Sequence, residues 1–237
     1  MHRLGFEEKD IPFLSLQLSQ NKYLVVKSIF SHLAASEDPA EDSFTMKQSE
    51  IFKKSCDQIR LSIGYDFIMH IANSAASSRN PLLQFDMVRL GIGLYGIDAS
   101  YESPVSLHLV ATLKTTIAQI REVKAGETIG YNRKGVVLKD SKIATIRIGY
   151  ADGFSRRLSN GNGSVFIKGS KAPLIGVISM DMSMIDITEI NNIFEGDEVE
   201  IFGKHVSVQQ VAKWCETIPY EILTGINQRV KRIYIEE

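Results

Sequence analysis

The sequence predicts a mixed architecture, in which an α/β segment is followed by a mainly β segment. Over roughly the first hundred residues, short apolar, β-branched runs are separated by helix-length segments, which is the pattern of β-α-β units. After about Ser103, apolar and polar residues alternate in many short runs, and glycines punctuate these runs as turns. The second pattern is typical of a sandwich or barrel of antiparallel strands.

Two helices and three strands are expected in the α/β segment. Its helical stretches carry apolar residues on one face, and its strand-like runs are apolar enough to be buried in a parallel sheet. The helices are expected at 11–19 and 46–63, and the strands at 23–30, 67–72 and 87–95.

The β segment predicts a series of short strands and ends in a helix followed by one more strand. The expected strands lie within 107–120, 142–148, 165–168, 174–180 and 198–202, the helix at 208–216 and the last strand at 230–235.

Composition narrows the class of partner. Hydrophobic residues make up 44% and charged residues 23%, which is ordinary for a soluble globular protein. A net charge of -1 gives no electrostatic case for nucleic acid or an anionic membrane, so a small molecule or another protein chain is expected. Cys56 and Cys215 have no metal-ligand spacing and indicate reduced thiols. Without an apolar leader or a run of ~18 apolar residues, the expected location is the cytoplasm.

The first motif that could carry chemistry is His70-Ile71-Ala72-Asn73-Ser74-Ala75-Ala76. An apolar strand ends here in small polar residues, and an anion is favoured where such residues begin a helix. Taken alone, the motif is better explained by a simple helix N-cap.

The second motif is Arg89-Leu90-Gly91-Ile92-Gly93-Leu94-Tyr95-Gly96. Its glycines permit close backbone approach to a group such as a phosphate. A charge at Arg89, within an apolar run, is costly unless it is paired. A structural ion pair beside a packed strand end is therefore the alternative.

The third motif, Gly149-Tyr150-Ala151-Asp152-Gly153, places a tyrosine between a strand and a tight turn. A phenol with an ordinary pKa of about 10 is a poor base at neutral pH, so Tyr150 would need a neighbour that lowers its pKa. An ordinary hairpin tyrosine is the alternative.

His32 and the Met180-Asp181 pair also follow strand-like runs. Each has a plain structural interpretation, as a satisfied histidine or as a core methionine beside a turn. Their shared position carries more weight: His32, Ser74 and Arg89 all lie near strand ends, and the carboxyl ends of barrel strands are where active sites are built.

Together these motifs resemble alanine racemases of the fold-type III pyridoxal-phosphate family, over essentially the whole chain. The resemblance rests on their order and spacing. It implies that residues 1–105 form the C-terminal half of a (β/α)8 TIM barrel and residues 106–237 a mainly antiparallel β domain. It also implies interconversion of L-alanine and D-alanine for peptidoglycan precursors, in a cytoplasmic homodimer with shared active sites.

The resemblance assigns the cofactor-binding roles to the α/β segment. Ser74 and the backbone of Gly91 and Ile92 would hold the phosphate of pyridoxal 5'-phosphate, and Arg89 would face the pyridine nitrogen. An arginine there should leave that nitrogen unprotonated and so weaken the electron sink.

It assigns catalysis and substrate binding to further residues. Tyr150 is similar to the base that serves the L-alanine face of the Cα–H, and His32, itself contacted by Arg89, would contact this tyrosine and stabilise the tyrosinate. Arg3 and the backbone around Met180 would engage the substrate carboxylate. Tyr150 and Met180 of one subunit would complete the site of the other.

Two departures from the family pattern stand out. No stretch of this sequence matches the motif of the Schiff-base lysine, an apolar strand running into Lys-Ala-Asp-Ala-Tyr-Gly-His-Gly. Many members also carry a tyrosine where this chain has Gln228, which puts one phosphate contact in doubt. We therefore expect a C-terminal portion of a racemase that is inactive alone.

Two alternatives remain open. One is a non-catalytic dimerisation or binding module derived from a racemase. The other is a related barrel decarboxylase that acts on basic amino acids, although Arg89 and the Tyr150 turn point away from it. In either case an open half-barrel should expose apolar edges, so self-association is expected.

Overall fold

The computed structural model describes residues 1–98, 100 and 106–236 of the chain. They form two compact units, Met1–Val110 and Ala111–Glu237. The boundary expected between residues 105 and 106 adjoins residues 101–105, which lie outside the described residues, and it stays a prediction. Within the described residues, no helix is both long and apolar enough to cross a bilayer.

The first unit combines three helices with a small parallel sheet. The helices are α1 (Ile11–Gln20), α2 (Asp42–Ile63) and α3 (Ser74–Arg79), and the strands are β1 (Ser28–Phe30) and β2 (Ile68–His70). β1 and β2 pair in parallel, with Phe30 opposite His70, so the carboxyl ends of both strands lie side by side. Strand pairing among the described residues of this unit stops at these two strands, and the half-barrel remains a prediction.

Helix α2 packs its apolar face into the core of this unit. Phe52, Cys56 and Ile59 are buried at helical spacing, and they pack with residues of the strands and with Leu83. The helix ends at Gly64, whose φ of +76° is the left-handed conformation that favours glycine after a helix. The predicted end at residue 63 is confirmed, whereas the helix begins at Asp42, four residues before the predicted start.

The strand predicted at 87–95 is wrong. Residues 87–90 form no strand, and the chain then makes a 3-10 turn over Ile92–Tyr95, which Gly96 closes with a φ of +73°. The strand at 23–30 is also shorter than predicted, because only Ser28–Phe30 finds a partner strand.

The second unit is a closed antiparallel barrel of six strands. The barrel strands are β3 (Leu113–Val123), β6 (Ser141–Ile146), β7 (Ser164–Ile167), β8 (Ser170–Ile175), β9 (Ser183–Asp186) and β10 (Glu198–Phe202). Around the barrel the order is β10-β3-β6-β9-β8-β7, and β10 pairs with β7 through Glu200 and Phe166. Of the two architectures expected for this segment, the barrel is the right one.

A two-stranded ribbon and two helices complete the second unit. The ribbon pairs β4 (Thr128–Ile129) with β5 (Gly135–Val136), and the helices are α4 (Val208–Trp214) and α5 (Pro219–Gly225). The strand predicted at 230–235 does not form. The Arg232 guanidinium instead donates to the backbone carbonyls of Ile226, Asn227 and Val230, which folds this segment on itself.

Barrel stability should depend on Ile185, which is fully buried on β9 between β6 and β8. Ile185→Ala should lower the free energy of unfolding by ~2–5 kcal/mol, because it removes buried methyl groups and leaves a cavity. Urea unfolding followed by the fluorescence of Trp214, the single tryptophan of the chain, measures the change. Leu138→Ala, at a side chain that is 89% exposed, is the control, and an equal effect of both changes would contradict the prediction.

Candidate active site

The ends of β1 and β2 bring the polar residues of the first unit together. His32 lies two residues beyond β1, and Ser74 begins α3 four residues beyond β2. Asn73 caps α3 through its side chain, which accepts from the N–H of Ala76 at 2.9 Å. The N–H of Arg89 donates to the carbonyl of Ala72 at 3.0 Å, which places Arg89 beside both strand ends.

The Arg89 guanidinium lies at the centre of this cluster. Nη2 donates to the carbonyls of Ser31 (2.7 Å) and Ile71 (3.2 Å), and Nη1 donates to the carbonyl of His70 (3.1 Å). Two imidazole nitrogens also face it: Nδ1 of His70 is 2.9 Å from Nη1, and Nδ1 of His32 is 3.3 Å from Nη2. The guanidinium carbon lies 5.3 Å from the centre of the Phe30 ring, within cation–π distance.

Arg89 is half-buried, yet no carboxylate pairs with it among the described residues. Burial lowers the pKa of the guanidinium below its ordinary value. An arginine nevertheless stays charged at neutral pH, so carbonyl dipoles, two imidazoles and an aromatic face stabilise the charge. The structural ion pair that could have explained this arginine is not formed within the part of the chain that the structure describes.

His32 and His70 are held neutral by their surroundings. Burial, followed by the charge of Arg89, lowers the pKa of His70, and the same two causes together with Arg3 lower the pKa of His32. Since arginine can only donate, each Nδ1 that faces Arg89 acts as the acceptor, and the proton of each ring is therefore on Nε2. Both Nε2–H groups are then available as donors.

Ser74 organises the glycine-rich segment. Its Oγ accepts from the N–H of Gly91 at 2.8 Å and from the N–H of Gly93 at 3.3 Å. Ile92, between these glycines, is buried. Its N–H has no protein acceptor among the described residues. A hydroxyl and clustered backbone N–H groups are a donor set that suits a phosphate.

A cavity of about 210 Å³ opens beside Ser74 in the same unit. Ser77, Ser78, Gly93 and Leu94 are among the residues that line it. Arg89, Gly91 and Ile92 do not line this cavity. Of these three residues, only Gly91 is hydrogen-bonded to Ser74, which does line it. Arg3, predicted to bind substrate, is exposed and makes no hydrogen bond with the described residues; its charge reaches His32.

In the second unit, Tyr150 opens a 3-10 turn, Tyr150–Asp152, that follows β6. The turn is held from inside, because the Asp152 carboxylate accepts from the N–H of Gly149 at 2.9 Å. A Cβ at Gly149 would lie 2.3 Å from the carbonyl oxygen of Met180, so only glycine fits there. The Tyr150 side chain is 44% exposed, and its hydroxyl has no hydrogen-bond partner within the described part of the chain.

Met180 lies directly beside this turn. The N–H of Tyr150 donates to the carbonyl of Ser179, and the N–H of Ala151 donates to the carbonyl of Met180, both at 3.0 Å. The buried hydroxyl of Ser183 donates to the carbonyl of Ile148 at 2.7 Å and joins the two segments again. The structure thus brings together Tyr150 and Met180, which lie in separate sequence motifs and which the resemblance assigned to one site.

Sequence reasoning missed His70 as a member of the site. It was named as the first residue of the motif that contains Ser74 but was given no role, although it makes the shortest contact between Arg89 and an imidazole. The signal that could have found it is the alignment of the two strands, since His70 is opposite Phe30 and its ring stacks on that side chain at 5.4 Å. No group of three metal-ligating side chains occurs among the residues that the structure describes.

Comparisons with known proteins match both units. The family model of the alanine racemase N-terminal domain matches residues 1–99, and that of the alanine racemase C-terminal domain matches residues 110–234. Alanine racemase of Alteromonas mediterranea is 38% identical over 98% of this chain and 63% of its own length. Alanine racemase 2 of Caldanaerobacter subterraneus is also 38% identical, over 99% of this chain and 62% of its own.

Solved structures agree in fold. Alanine racemase from Bartonella henselae with covalently bound pyridoxal phosphate is 37% identical, with a TM-score of 0.89 over 99% of this chain and 64% of that chain. The Bacillus anthracis enzyme with bound L-Ala-P is 32% identical, with a TM-score of 0.90 over 100% of this chain and 62% of that chain. The chain therefore spans somewhat less than two thirds of the length of these proteins.

The lowered histidine pKa values predict a loss of stability in mild acid. His32 and His70 have lower pKa values in the folded protein than the ordinary histidine value of about 6.5 that they have in the unfolded chain. Below about pH 6.5 the unfolded chain therefore binds more protons than the folded protein. The stability contribution is therefore complete above pH 7 and decreases as the pH falls from about 6.5. Urea midpoints from circular dichroism at pH 7.5 and 5.5 measure the decrease, which His70→Asn should reduce. An unchanged or higher midpoint at pH 5.5 would contradict the prediction.

Proposed function

The chain belongs to the alanine racemase family, and on that premise we propose that it supplies most of the cofactor site and one base of an enzyme that interconverts L-alanine and D-alanine with pyridoxal 5'-phosphate. The observation that carries the proposal is the Arg89 guanidinium, a half-buried charge that has no carboxylate partner among the described residues and is held at the ends of two parallel strands. Removing such a charge from water costs free energy that a purely structural role does not recover, so the group indicates a functional site.

The free donor of Arg89 supports a role toward the pyridine nitrogen. Its Nη1 and Nη2 hydrogens all have acceptors on the protein, whereas Nε–H has none among the described residues. Pyridoxal phosphate supplies an electron sink for the Cα substituents of an amino acid. Because Arg89 is itself a donor that stays charged, it would keep the ring nitrogen unprotonated. An unprotonated ring withdraws electrons more weakly, so return of a proton to Cα would be favoured over side reactions of a full carbanion.

The donor set around Ser74 supports binding of the phosphate. The Ser74 hydroxyl and the N–H groups of Gly91 and Ile92 would donate to the phosphate oxygens. Ser74 Oγ at present accepts from the N–H of Gly91, and with a phosphate bound both groups would donate to it. The phenol of the family's tyrosine is missing at Gln228, so this cradle would rely on one contact fewer.

Tyr150 would move the proton on the L-alanine face of Cα. Its exposed phenol stands on a rigid turn, which suits a group that must meet a substrate. An ordinary tyrosine pKa is too high for a base at neutral pH. We propose that the protein is a homodimer, in which Tyr150 and Met180 of one subunit complete the partner's site and His32, polarised by Arg89, stabilises the tyrosinate.

Several finer points follow the family and belong to the same proposal. Arg3 and the backbone of Met180 would bind the substrate carboxylate, and D-alanine would serve cell-wall peptidoglycan in the cytoplasm. The free, buried thiols of Cys56 and Cys215 suit a reducing compartment. No segment of the 237 residues matches the lysine motif, so racemisation would require a lysine that these residues do not provide.

The 237-residue chain should bind pyridoxal phosphate without a covalent bond. Ser74→Ala should weaken binding about tenfold or more, because it removes a hydrogen bond to a charged group. Equilibrium dialysis measures the affinity, and inorganic phosphate should compete. Ser62→Ala, at a hydroxyl that bonds only to its own helix, is the control. Stoichiometric borohydride-fixed cofactor on one lysine, found by mass spectrometry, would overturn the prediction.

The full-length product of the reading frame that encodes this chain should racemise alanine and should not decarboxylate basic amino acids. Tyr150→Phe should lower kcat at least about 10²-fold, because it removes the proton-transferring group. Circular dichroism of alanine and carbon dioxide release measure the two activities. Tyr131→Phe, at an exposed tyrosine of the same unit, should change neither. A full-length product that binds the cofactor without racemising alanine would favour the non-catalytic module.

A further inference from the structure

Arg229 joins the two segments that present Tyr150 and Met180. Its Nε donates to Oδ1 of Asp152 and its Nη2 donates to Oδ1 of Asp181, both at 2.7 Å. These carboxylates raise the pKa of Arg229 above its ordinary value. One planar guanidinium thus bridges two loops that are far apart in sequence, which a single-point ammonium cannot do with the same geometry.

Backbone contacts also join the segment that carries Arg229, residues 225–229, to the turn that carries Tyr150. The N–H of Asn227 donates to the carbonyl of Asp152 at 3.0 Å. A Cβ at Gly153 would lie 2.2 Å from the carbonyl oxygen of Gly225, so no side chain separates these two segments. Asp152 is therefore fixed by Gly149 on its own turn and by Arg229 from outside.

The direction of the Tyr150 phenol depends on the backbone that carries it. The side chain is substantially exposed, and no hydrogen bond to its hydroxyl occurs among the described residues. Its position is therefore set by the turn, whose N–H groups bond to Ser179 and Met180. A change of about 1 Å in the position of a reacting group can cost about 10²-fold in rate.

We propose that Arg229 is a positioning residue for the reaction: by bonding Asp152 and Asp181 at once, it fixes the Tyr150 turn against the Met180 segment. The inference rests on the proposed function, because it assumes that Tyr150 transfers a proton. A purely stabilising role explains the arrangement less well. The Arg229 and Asp181 side chains are 45% and 55% exposed, and exposed ion pairs add little to stability. Only the contact with Asp152, whose side chain is 15% exposed, has the burial that a stabilising ion pair needs.

The test compares Arg229→Gln and Arg229→Lys in the full-length protein with Arg232→Gln. Arg232 lies on the same segment and bonds three backbone carbonyls there, so it controls for damage to that segment. Arg229→Gln should lower kcat about 10²-fold with little change in KM. The kcat of Arg229→Lys should lie between those of the wild type and Arg229→Gln, since lysine keeps the charge but cannot bond both carboxylates in the same way.

Isotope effects separate positioning from a loss of folded protein. With Arg229→Gln, the effect of deuterium at Cα on kcat should rise for L-alanine, because proton removal by Tyr150 becomes slower, and should not rise for D-alanine. A smaller folded fraction would lower both rates together and leave both isotope effects unchanged. Asp181→Asn should add little to Arg229→Gln in a double-mutant cycle.

The outcomes distinguish this inference from the proposed function. If Tyr150→Phe abolishes racemisation while Arg229→Gln matches the wild type, or if Arg232→Gln has the same effects as Arg229→Gln, the inference is overturned and the function stands. If Tyr150→Phe is as active as the wild type, or if the wild type does not racemise alanine, the proposed function fails and the inference fails with it.

Discussion

The candidate site depends on keeping a positive charge partly buried with no carboxylate beside it in the described part of the chain. Carbonyls at the ends of two parallel strands and two neutral imidazoles take up the terminal N–H groups of Arg89. The pairing of Phe30 with His70 supplies this geometry, because parallel strands expose their last carbonyls at one edge. A carboxylate here would compete for the donor that the site needs, and it would raise the pKa of both histidines.

Much of the fold could be predicted because its information is local. The strand over Glu198–Phe202 agrees with its alternating pattern at both ends, since alternation and burial coincide in a barrel wall. The C-terminal end of the helix at Ile63 could be predicted from Gly64. The capping role of Asn73 could be predicted from its position before a run of small residues. The closeness of Ser74 to Gly91 was expected from the family resemblance, and it forms through the Ser74 hydroxyl although residues 87–95 make no strand.

The remaining features depend on partners that are distant in sequence. The run at 87–95 has the composition of a strand, but its glycines allow a turn that a pattern of hydrophobicity does not reveal. The apolar residues at 230–235 find no strand to pair with, so their β propensity has no effect. His70 and Arg229 gain their roles only from contacts across 19 or more residues. Charged residues in a sequence do not disclose such contacts.

The two groups that would face the substrate are positioned by different physical means. Arg89 is fixed through its own side chain: its Nη1 and Nη2 donors bond to the protein, and only Nε–H lacks an acceptor among the described residues. Tyr150 is fixed through its backbone, and its phenol is left without a protein partner among the described residues. The difference suits the chemistry. A permanent charge must be compensated in the resting protein, whereas a group that exchanges a proton with a ligand must keep its oxygen unbound.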